Sequence, residues 1–293
     1  MEFNNVTVIG GGILGSQIAY MSAFHGKNVT IWGRKESSLD SAKERVSRWA
    51  QAVKEDLGAT EKQLNDAQDH LTYTTDLSQA LKDADLVIEA LPENVEIKKD
   101  FYEKFAKLAD PKTIVATNTS TLLPSQFADY TGRPDKFLAY HFANEIWKNN
   151  TAEIMSQSKT SKELPKMFEK YSREIGMVPL LVNKEQPGYI LNSLLVPFLT
   201  AGVQLWVKGI SDPQTIDKTW MIATGSPMGP FAFIDMIGLR TVYEINKMTK
   251  DSTSQKAAEL LKKMIDKGEI GVESGKGFYT YPNPDFKKAE FLK

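Results

Sequence analysis

The stretch Val6-Thr-Val-Ile-Gly10-Gly-Gly-Ile-Leu-Gly15 decides how this chain reads. The apolar run Val6 to Ile9 leads straight into Gly10, Gly12 and Gly15, and a helix-like stretch from Ile13 to His25 follows, closed by Gly26. In that order Gly10 permits a tight strand-to-helix turn, Gly12 lets the backbone approach a diphosphate, and Gly15 lets the helix pack closely on the sheet. The helix N-terminus, with Ile13 and Leu14 in its first turn, then turns partial positive charge toward the phosphates. Asn28–Trp32 reads as a second strand, so the spacing predicts a βαβ unit that binds a dinucleotide.

Working outward, 293 residues are enough for two domains, each with its own core. A hydrophobic content of 41% and a charged content of 25% are those of an ordinary globular protein, and a net charge of −1 argues against nucleic acid as a partner. The absence of cysteine removes disulfides, a thiol nucleophile and thiolate metal sites together. The histidines, His25, His70 and His141, have no metal-ligand spacing, so no metal is expected. Polar Met1–Asn5 runs directly into the first strand and no apolar stretch is long enough for a bilayer, so a cytoplasmic protein with no membrane partner is expected.

After the second strand, Glu36 to Leu57 is charged and amphipathic, with Leu39, Val46, Trp49 and Val53 on one helical face, and Gly58 ends it. With Glu61–Ala67 it forms a helical hairpin, about 36–67, inserted before the strand Leu71–Thr74. Its Arg45, Arg48, Lys54 and Lys62 read equally as a solvated face or as a grip on a ligand tail. Alternation then resumes with a helix at Leu77–Leu81, a strand at Asp85–Ala90, a helix at Asn94–Leu108 and a strand at Thr113–Thr117. Strand-like runs at Phe137–His141, Ala152–Ser156 and Val178–Val182, with a helix at Lys162–Ile175, extend the pattern. Such βα alternation predicts an α/β fold, a doubly wound, mostly parallel sheet of the Rossmann type.

Pro187-Gly188 marks a change, since helical periodicity governs everything beyond it. The domains are therefore read as 1–186, binding the dinucleotide, and 187–293, a smaller all-α domain. Tyr189–Val207 is apolar on almost every face, which predicts burial between domains or subunits, with Pro197 kinking it. Further helices are read at Pro213–Ala223, Pro230–Met236, Arg240–Met248 and Gln255–Lys267.

Ligands in open α/β sheets gather at the carboxyl ends of the strands, and His141 ends one of them, where a proton acceptor for hydride chemistry is needed. Glu153 lies on the next strand-like segment, antiparallel in the simplest pairing, and a carboxylate bonded to one ring nitrogen fixes the tautomer. Ser120 follows another strand end in Asn118-Thr-Ser-Thr121, placed either to cap a turn or to hold a substrate oxygen. Asn192 is an amide in an apolar helix, where an unpaired polar group costs about 1–3 kcal/mol, so it is expected to face a partner or a ligand.

These residues resemble the L-3-hydroxyacyl-CoA dehydrogenase family, and the likeness spans nearly the whole chain. It is carried by Gly10–Gly15, by Glu89-Ala-Leu-Pro-Glu-Asn94 with Lys98, by Asn118-Thr-Ser120 and by His141-Phe-Ala-Asn144. Pro187-Gly-Tyr-Ile-Leu-Asn192, Pro227-Met-Gly-Pro-Phe231 and Gly275-Lys-Gly-Phe-Tyr279 add the second domain. The resemblance implies that His141 accepts the hydroxyl proton, that Glu153 supports it, and that Ser120 and Asn192 bind the reacting oxygen. It also implies contacts to the cofactor from Ala90, Glu93, Lys98, Asn118 and Asn144. The implied reaction interconverts 3-hydroxyacyl-CoA and 3-ketoacyl-CoA with NAD, in a homodimer formed through the helical domain.

Three departures stand out. Where the family ends its second strand with an acid, this chain has Gly33 followed by Arg34 and Lys35. A carboxylate repels a 2′-phosphate whereas Arg34 can grip one, so the expectation is NAD(P) with a preference for NADP(H). The family's His-Phe-Phe-Asn-Pro block is here His141-Phe-Ala-Asn-Glu145, which alters the pocket wall. The serine and lysine that hold the CoA tail align only after a small shift, with Ser47 and Lys54. The expected substrate is a short-chain acyl-CoA. A free polar 3-hydroxy acid and a nucleotide-binding sensor without catalysis are the alternatives.

Overall fold

The computed structural model describes residues 2–293, which form two compact units, the first closing at Ile190 and the second running Leu191–Lys293. The first unit contains β1 (Asn5–Ile9), α1 (Ile13–Phe24), β2 (Asn28–Trp32), α2 (Glu36–Leu57), α3 (Glu61–Asp69), β3 (Leu71–Thr74), α4 (Leu77–Leu81) and β4 (Leu86–Glu89). It continues with α5 (Val95–Leu108), β5 (Ile114–Thr117), β6 (Phe137–Phe142), β7 (Thr151–Ser156), α6 (Leu164–Glu174) and β8 (Val178–Val182).

These strands form one eight-stranded sheet in the order β3-β2-β1-β4-β5-β6-β7-β8. All neighbours are parallel except β6 and β7, which run antiparallel. This is the doubly wound, Rossmann-type sheet read from the sequence. The chain builds outward from β1 through β2 to β3, then crosses to β4 on the other side, so the carboxyl ends of β1 and β4 flank the crevice where such sheets bind ligands. Residues buried on both faces explain the apolar runs: all of β4, β5 and β6 is buried, including the acid Glu89.

Local signals set the helix ends. The Asn94 side chain accepts the Ile97 N–H and starts α5, whose buried face carries Phe101, Tyr102 and Phe105. Gly58, in the left-handed region at φ +68°, closes α2, and a Thr60–Gln63 capping box opens α3.

The second unit holds α7 (Leu191–Val207), α8 (Pro213–Thr224), α9 (Pro230–Ile237), α10 (Leu239–Met248) and α11 (Ser252–Asp266) around Leu199, Val203, Phe231, Ile234 and Leu261. Asp217 is buried there because its carboxylate accepts the Phe231 and Ala232 N–H groups at 2.8 and 2.9 Å, in the first turn of α9. Burial pushes its carboxyl up to about 6 against these bonds.

One expectation needs correction. The helix read as Tyr189–Val207 begins at Leu191, because Gly188 and Tyr189 both have positive φ. Within the single chain Leu199, Gly202, Val203 and Val207 are buried, while Leu194 is 70% exposed and Val196 and Leu205 are also exposed. A helix on a small core spends one face on it, and apolarity by itself does not place the other. Among the described residues no helix is long and apolar enough to cross a membrane.

Candidate active site

The glycine loop is shaped by close approaches. A Cβ on Gly10 (φ +104°) would lie 2.7 Å from the Ala90 carbonyl oxygen, and one on Gly15 would lie 1.9 Å from that of Gly10. At Gly12 a Cβ would meet no protein atom within 4 Å, so the protein's own packing does not require glycine there, whereas close approach of a diphosphate does. Arg45 on α2 steadies the loop by donating to the Gly11 carbonyl at 3.1 Å. Beside the loop lies a cavity of about 270 Å³ lined by Gly12, Leu14, Ala90, Glu93, Asn118 and Ser120, with Ile13 and Gly15 also on its wall. Leu91 lines both this cavity and a groove of about 540 Å³ whose wall includes Trp32, Arg34, Ile97 and Phe101 together with the acids Glu96 and Asp100. A helix N-terminus for phosphates, between a cavity of mixed lining that carries Glu93, Asn118 and Ser120 and a mostly apolar groove, fits a nicotinamide dinucleotide.

Across the crevice, β6 and β7 pair with His141 opposite Glu153, the antiparallel pairing expected from the sequence. Both side chains are buried, and His141 Nδ1 lies 2.9 Å from Glu153 Oε2. A carboxylate only accepts, so Nδ1 carries the proton and Nε2 is directed to the Ser120 hydroxyl at 3.2 Å. Glu153 Oε1 accepts the Ile190 N–H at 2.9 Å. The structure thus brings Ser120, His141 and Glu153 together. Asn192 lies in the first turn of α7, in the second unit.

Glu93 organises the strand end that carries Ser120. Its Oε1 accepts from the N–H groups of Ser120 and Thr121 at 3.1 and 2.8 Å and from the Thr119 and Thr121 hydroxyls. Burial works against ionisation, but these bonds and the charge of Lys98 hold the carboxyl below its usual range. Lys98 lines neither cavity. Its ammonium is buried, 2.6 Å from Glu89 Oε1 and 3.7 Å from Glu93 Oε2. Glu89 also accepts from the Tyr102 and Thr117 hydroxyls at 2.8 and 2.7 Å. Sequence reasoning gave Glu89 no role, although an acid closing an apolar strand nine residues before a lysine is a signal for such a pair. Tyr189 was also missed: its ring is stacked on His141 at 4.4 Å.

Asn118 Oδ1 accepts the Phe142 N–H at 3.2 Å and so ties the end of β5 to β6. Asn144 sits in the exposed loop beyond β6, its carbonyl bonded to the Asn149 amide at 2.8 Å. Gly33 is buried at the end of β2, Arg34 is exposed at the mouth of the larger groove, and among the described residues no carboxylate lies within ion-pair distance of Arg34.

The loop after His141 folds back onto α1 and α2. Glu145 has φ +57°, and Gln17 Oε1 accepts its N–H and that of Ile146 at 2.9 and 3.3 Å. The Trp147 indole and the Lys148 ammonium both reach Asp56 Oδ2 at 2.8 Å, and Trp147 packs on Trp49 with ring centres 5.6 Å apart. Of the hairpin cations, Lys54 pairs with Glu61, Lys62 pairs with Asp66 and Arg48 is exposed, as is the neighbouring Ser47.

Residues 5–186 match the family described as 3-hydroxyacyl-CoA dehydrogenase, NAD binding domain, and residues 188–281 match its C-terminal domain. The chain belongs to the 3-hydroxyacyl-CoA dehydrogenase family. Membership makes it an NAD-dependent dehydrogenase, which sets aside the sensor without catalysis. Similar proteins include the probable 3-hydroxybutyryl-CoA dehydrogenase of Deinococcus radiodurans, 32% identical over 94% of this chain and 99% of that one. The human mitochondrial hydroxyacyl-coenzyme A dehydrogenase is 30% identical over 94% of this chain and 91% of its own length. A solved diketoreductase, described as catalysing reactions of dicarbonyl compounds, is 49% identical with a TM-score of 0.92, covering 96% of this chain and all of that one.

Proposed function

We propose that this dehydrogenase interconverts a short-chain L-3-hydroxyacyl-CoA and the 3-ketoacyl-CoA, with His141 as the proton-transferring residue. The observation that carries the reading is the chain of contacts from Glu153 Oε2 through the imidazole to Ser120 Oγ, at 2.9 and 3.2 Å, beside the glycine-loop cavity. Held at Gly10, Gly12 and Gly15, a nicotinamide dinucleotide would supply the hydride acceptor for oxidation and the hydride donor for reduction. In oxidation Nε2 takes the hydroxyl proton, and the imidazolium so formed is supported by Glu153. In reduction the protonated His141 gives the proton to the forming alkoxide while Ser120 donates a hydrogen bond to the same oxygen. Asn192 is assigned as a second donor on the resemblance alone.

The cofactor proposal is a preference for NADP(H). Its support is the absence of a carboxylate at Gly33 together with Arg34, a cation without an acidic partner among the described residues, at the mouth of the larger groove. In the same reading Gly10, Gly12, Ile13, Leu14 and Gly15 hold the diphosphate, and Ala90, Glu93, Asn118 and Asn144 line the nicotinamide side with Lys98 behind them. The first unit serves the dinucleotide, the second serves substrate and a homodimer contact through exposed residues such as Leu194, and the setting is cytoplasmic.

A second reading keeps the chemistry and replaces the thioester by a free dicarbonyl compound or 3-hydroxy acid. It is favoured by the 49% identity to a diketoreductase. It is also favoured by the hairpin, which the resemblance assigns to the CoA tail. There α2 is joined to the loop after His141 through Trp49, Asp56, Trp147 and Lys148, and Lys54 already has a carboxylate partner. Initial rates on acetoacetyl-CoA and ethyl acetoacetate, each with NADH and NADPH, decide between the two. Turnover confined to the free ester would remove the thioester reading, and turnover of neither would remove both.

A further inference from the structure

Directly after Pro187, Gly188 and Tyr189 adopt successive left-handed conformations, with φ of +81° and +52°. Glycine does this freely, whereas a tyrosine held there costs on the order of 1 kcal/mol and persists only where its surroundings impose it. Here three contacts do so. The tyrosine ring lies nearly parallel to the His141 imidazole, with centres 4.4 Å apart and planes 14° from parallel. Its hydroxyl donates to the Thr119 carbonyl at 2.7 Å, one residue before Ser120. The next N–H, that of Ile190, donates to Glu153 Oε1, the oxygen that His141 does not use.

The bond to Glu153 fixes Nδ1 but leaves the ring able to tilt about that bond, and a flat neighbour on one face removes this freedom. The hydroxyl, in turn, fixes the strand end that presents Ser120. Burial pushes the phenol far above its usual range, so it stays a neutral donor. We infer that Tyr189 is a positioning residue, whose ring and hydroxyl together set the placement of His141 Nε2 relative to Ser120. The inference rests on His141 being the proton-transferring residue. Misplacing a reacting group by about 1 Å costs about 100-fold in rate, so such a residue affects turnover more than cofactor binding.

The test compares Tyr189→Phe, Tyr189→Leu and His141→Ala, using NADH with the better of acetoacetyl-CoA and ethyl acetoacetate. Tyr189→Leu should lower kcat about 10- to 100-fold, with the Kd for NADH, read by fluorescence, changed by less than about twofold. Tyr189→Phe keeps the ring and should lose only about 2- to 10-fold in kcat. The ring-proton resonances of His141 should lose their upfield ring-current displacement in the leucine variant and keep it in the phenylalanine variant. A leucine variant that turns over at the native rate overturns the inference, as does one whose loss is fully accounted for by weaker NADH binding. Should the leucine variant not fold, the phenylalanine variant decides alone, and an unchanged kcat there overturns the hydroxyl tether and with it the two-part role. If His141→Ala is unimpaired, or the native enzyme uses neither substrate with NADH or NADPH, the underlying reading falls and takes this one with it.

Discussion

Glu153 stands opposite His141 in the antiparallel pair of β6 and β7, so the two side chains leave the sheet as direct neighbours and meet at 2.9 Å. Such opposed positions place Cβ atoms about 4.5–5.5 Å apart, which suits a carboxylate reaching an imidazole nitrogen without loop geometry to support it. The remaining carboxylate oxygen takes the Ile190 N–H, so the acid is held at both ends.

Removing the imidazole tests the proposed proton transfer. His141→Ala should lower kcat by about 10²- to 10⁴-fold and leave NADH affinity nearly unchanged, because the glycine loop and its cavity do not include this side chain. Steady-state turnover together with fluorescence titration of the cofactor checks both parts. Native turnover would show that another group moves the proton.

Glu153→Gln keeps the shape and removes the charge. One amide oxygen cannot accept from both His141 Nδ1–H and the Ile190 N–H, and the NH₂ group would oppose one of the two donors. The imidazole is then driven toward the tautomer with its proton on Nε2, the wrong form for accepting one. A fall in kcat of about 10²- to 10⁴-fold is expected, on the scale seen when a catalytic histidine loses its orienting carboxylate. A fall of less than about twofold would mean that the charge of Glu153 is not needed.

Cofactor choice turns on Arg34. Arg34→Ala should reduce kcat/KM for NADPH about tenfold, corresponding to about 1.4 kcal/mol for an exposed charge contact, while the value for NADH moves by less than about twofold. Equal losses with both cofactors would point to adenine stacking instead. Restoring an acid with Gly33→Asp is a poor converse experiment, since a Cβ there would lie 2.7 Å from Ser38 Oγ and 2.8 Å from Leu39 Cδ2.

Asp217 makes the second unit sensitive to mild acid in an uncommon direction. Burial raises its folded pKa to about 6, above the ordinary 3.8, so between these values the folded chain binds more protons here than the unfolded chain. Its contribution is therefore fully present below about pH 4 and is lost as pH rises through about 6. The stability difference between the native protein and Asp217→Asn should shift by about 2 kcal/mol against the native protein between pH 4 and 6.5. Urea unfolding at the two pH values measures it, and a constant difference would show that the bonds from Phe231, Ala232 and Tyr279 outweigh burial.

The legible parts were those with a period or a terminator. The ends of β2, α2, β3, α4 and β8 fall where apolar alternation and Gly58 put them, and the opposition of His141 and Glu153 followed from the simplest strand reversal. What escaped depends on contacts distant in sequence. Tyr189 precedes a long apolar stretch and has the hydropathy of a helical residue; only the turn at Gly188 and the ring against His141 take it out of the helix. Glu89 reads as the polar end of a strand until Lys98, Tyr102 and Thr117 are seen to converge on it. The seat of Trp147 on α2 has no counterpart in spacing, because Asp56 lies 91 residues earlier.

One consequence follows from the seat of Trp147. His141 and Glu153 sit on neighbouring β-strands, whereas the segment 143–150 that joins those strands is anchored separately, by Gln17 and Asp56. Substitutions at Ala143 and Glu145, with Asn144 kept, are therefore expected to change which molecules are accepted while the pair beside them keeps its seat. A randomised library confined to those positions should yield enzymes of altered scope more often than inactive ones.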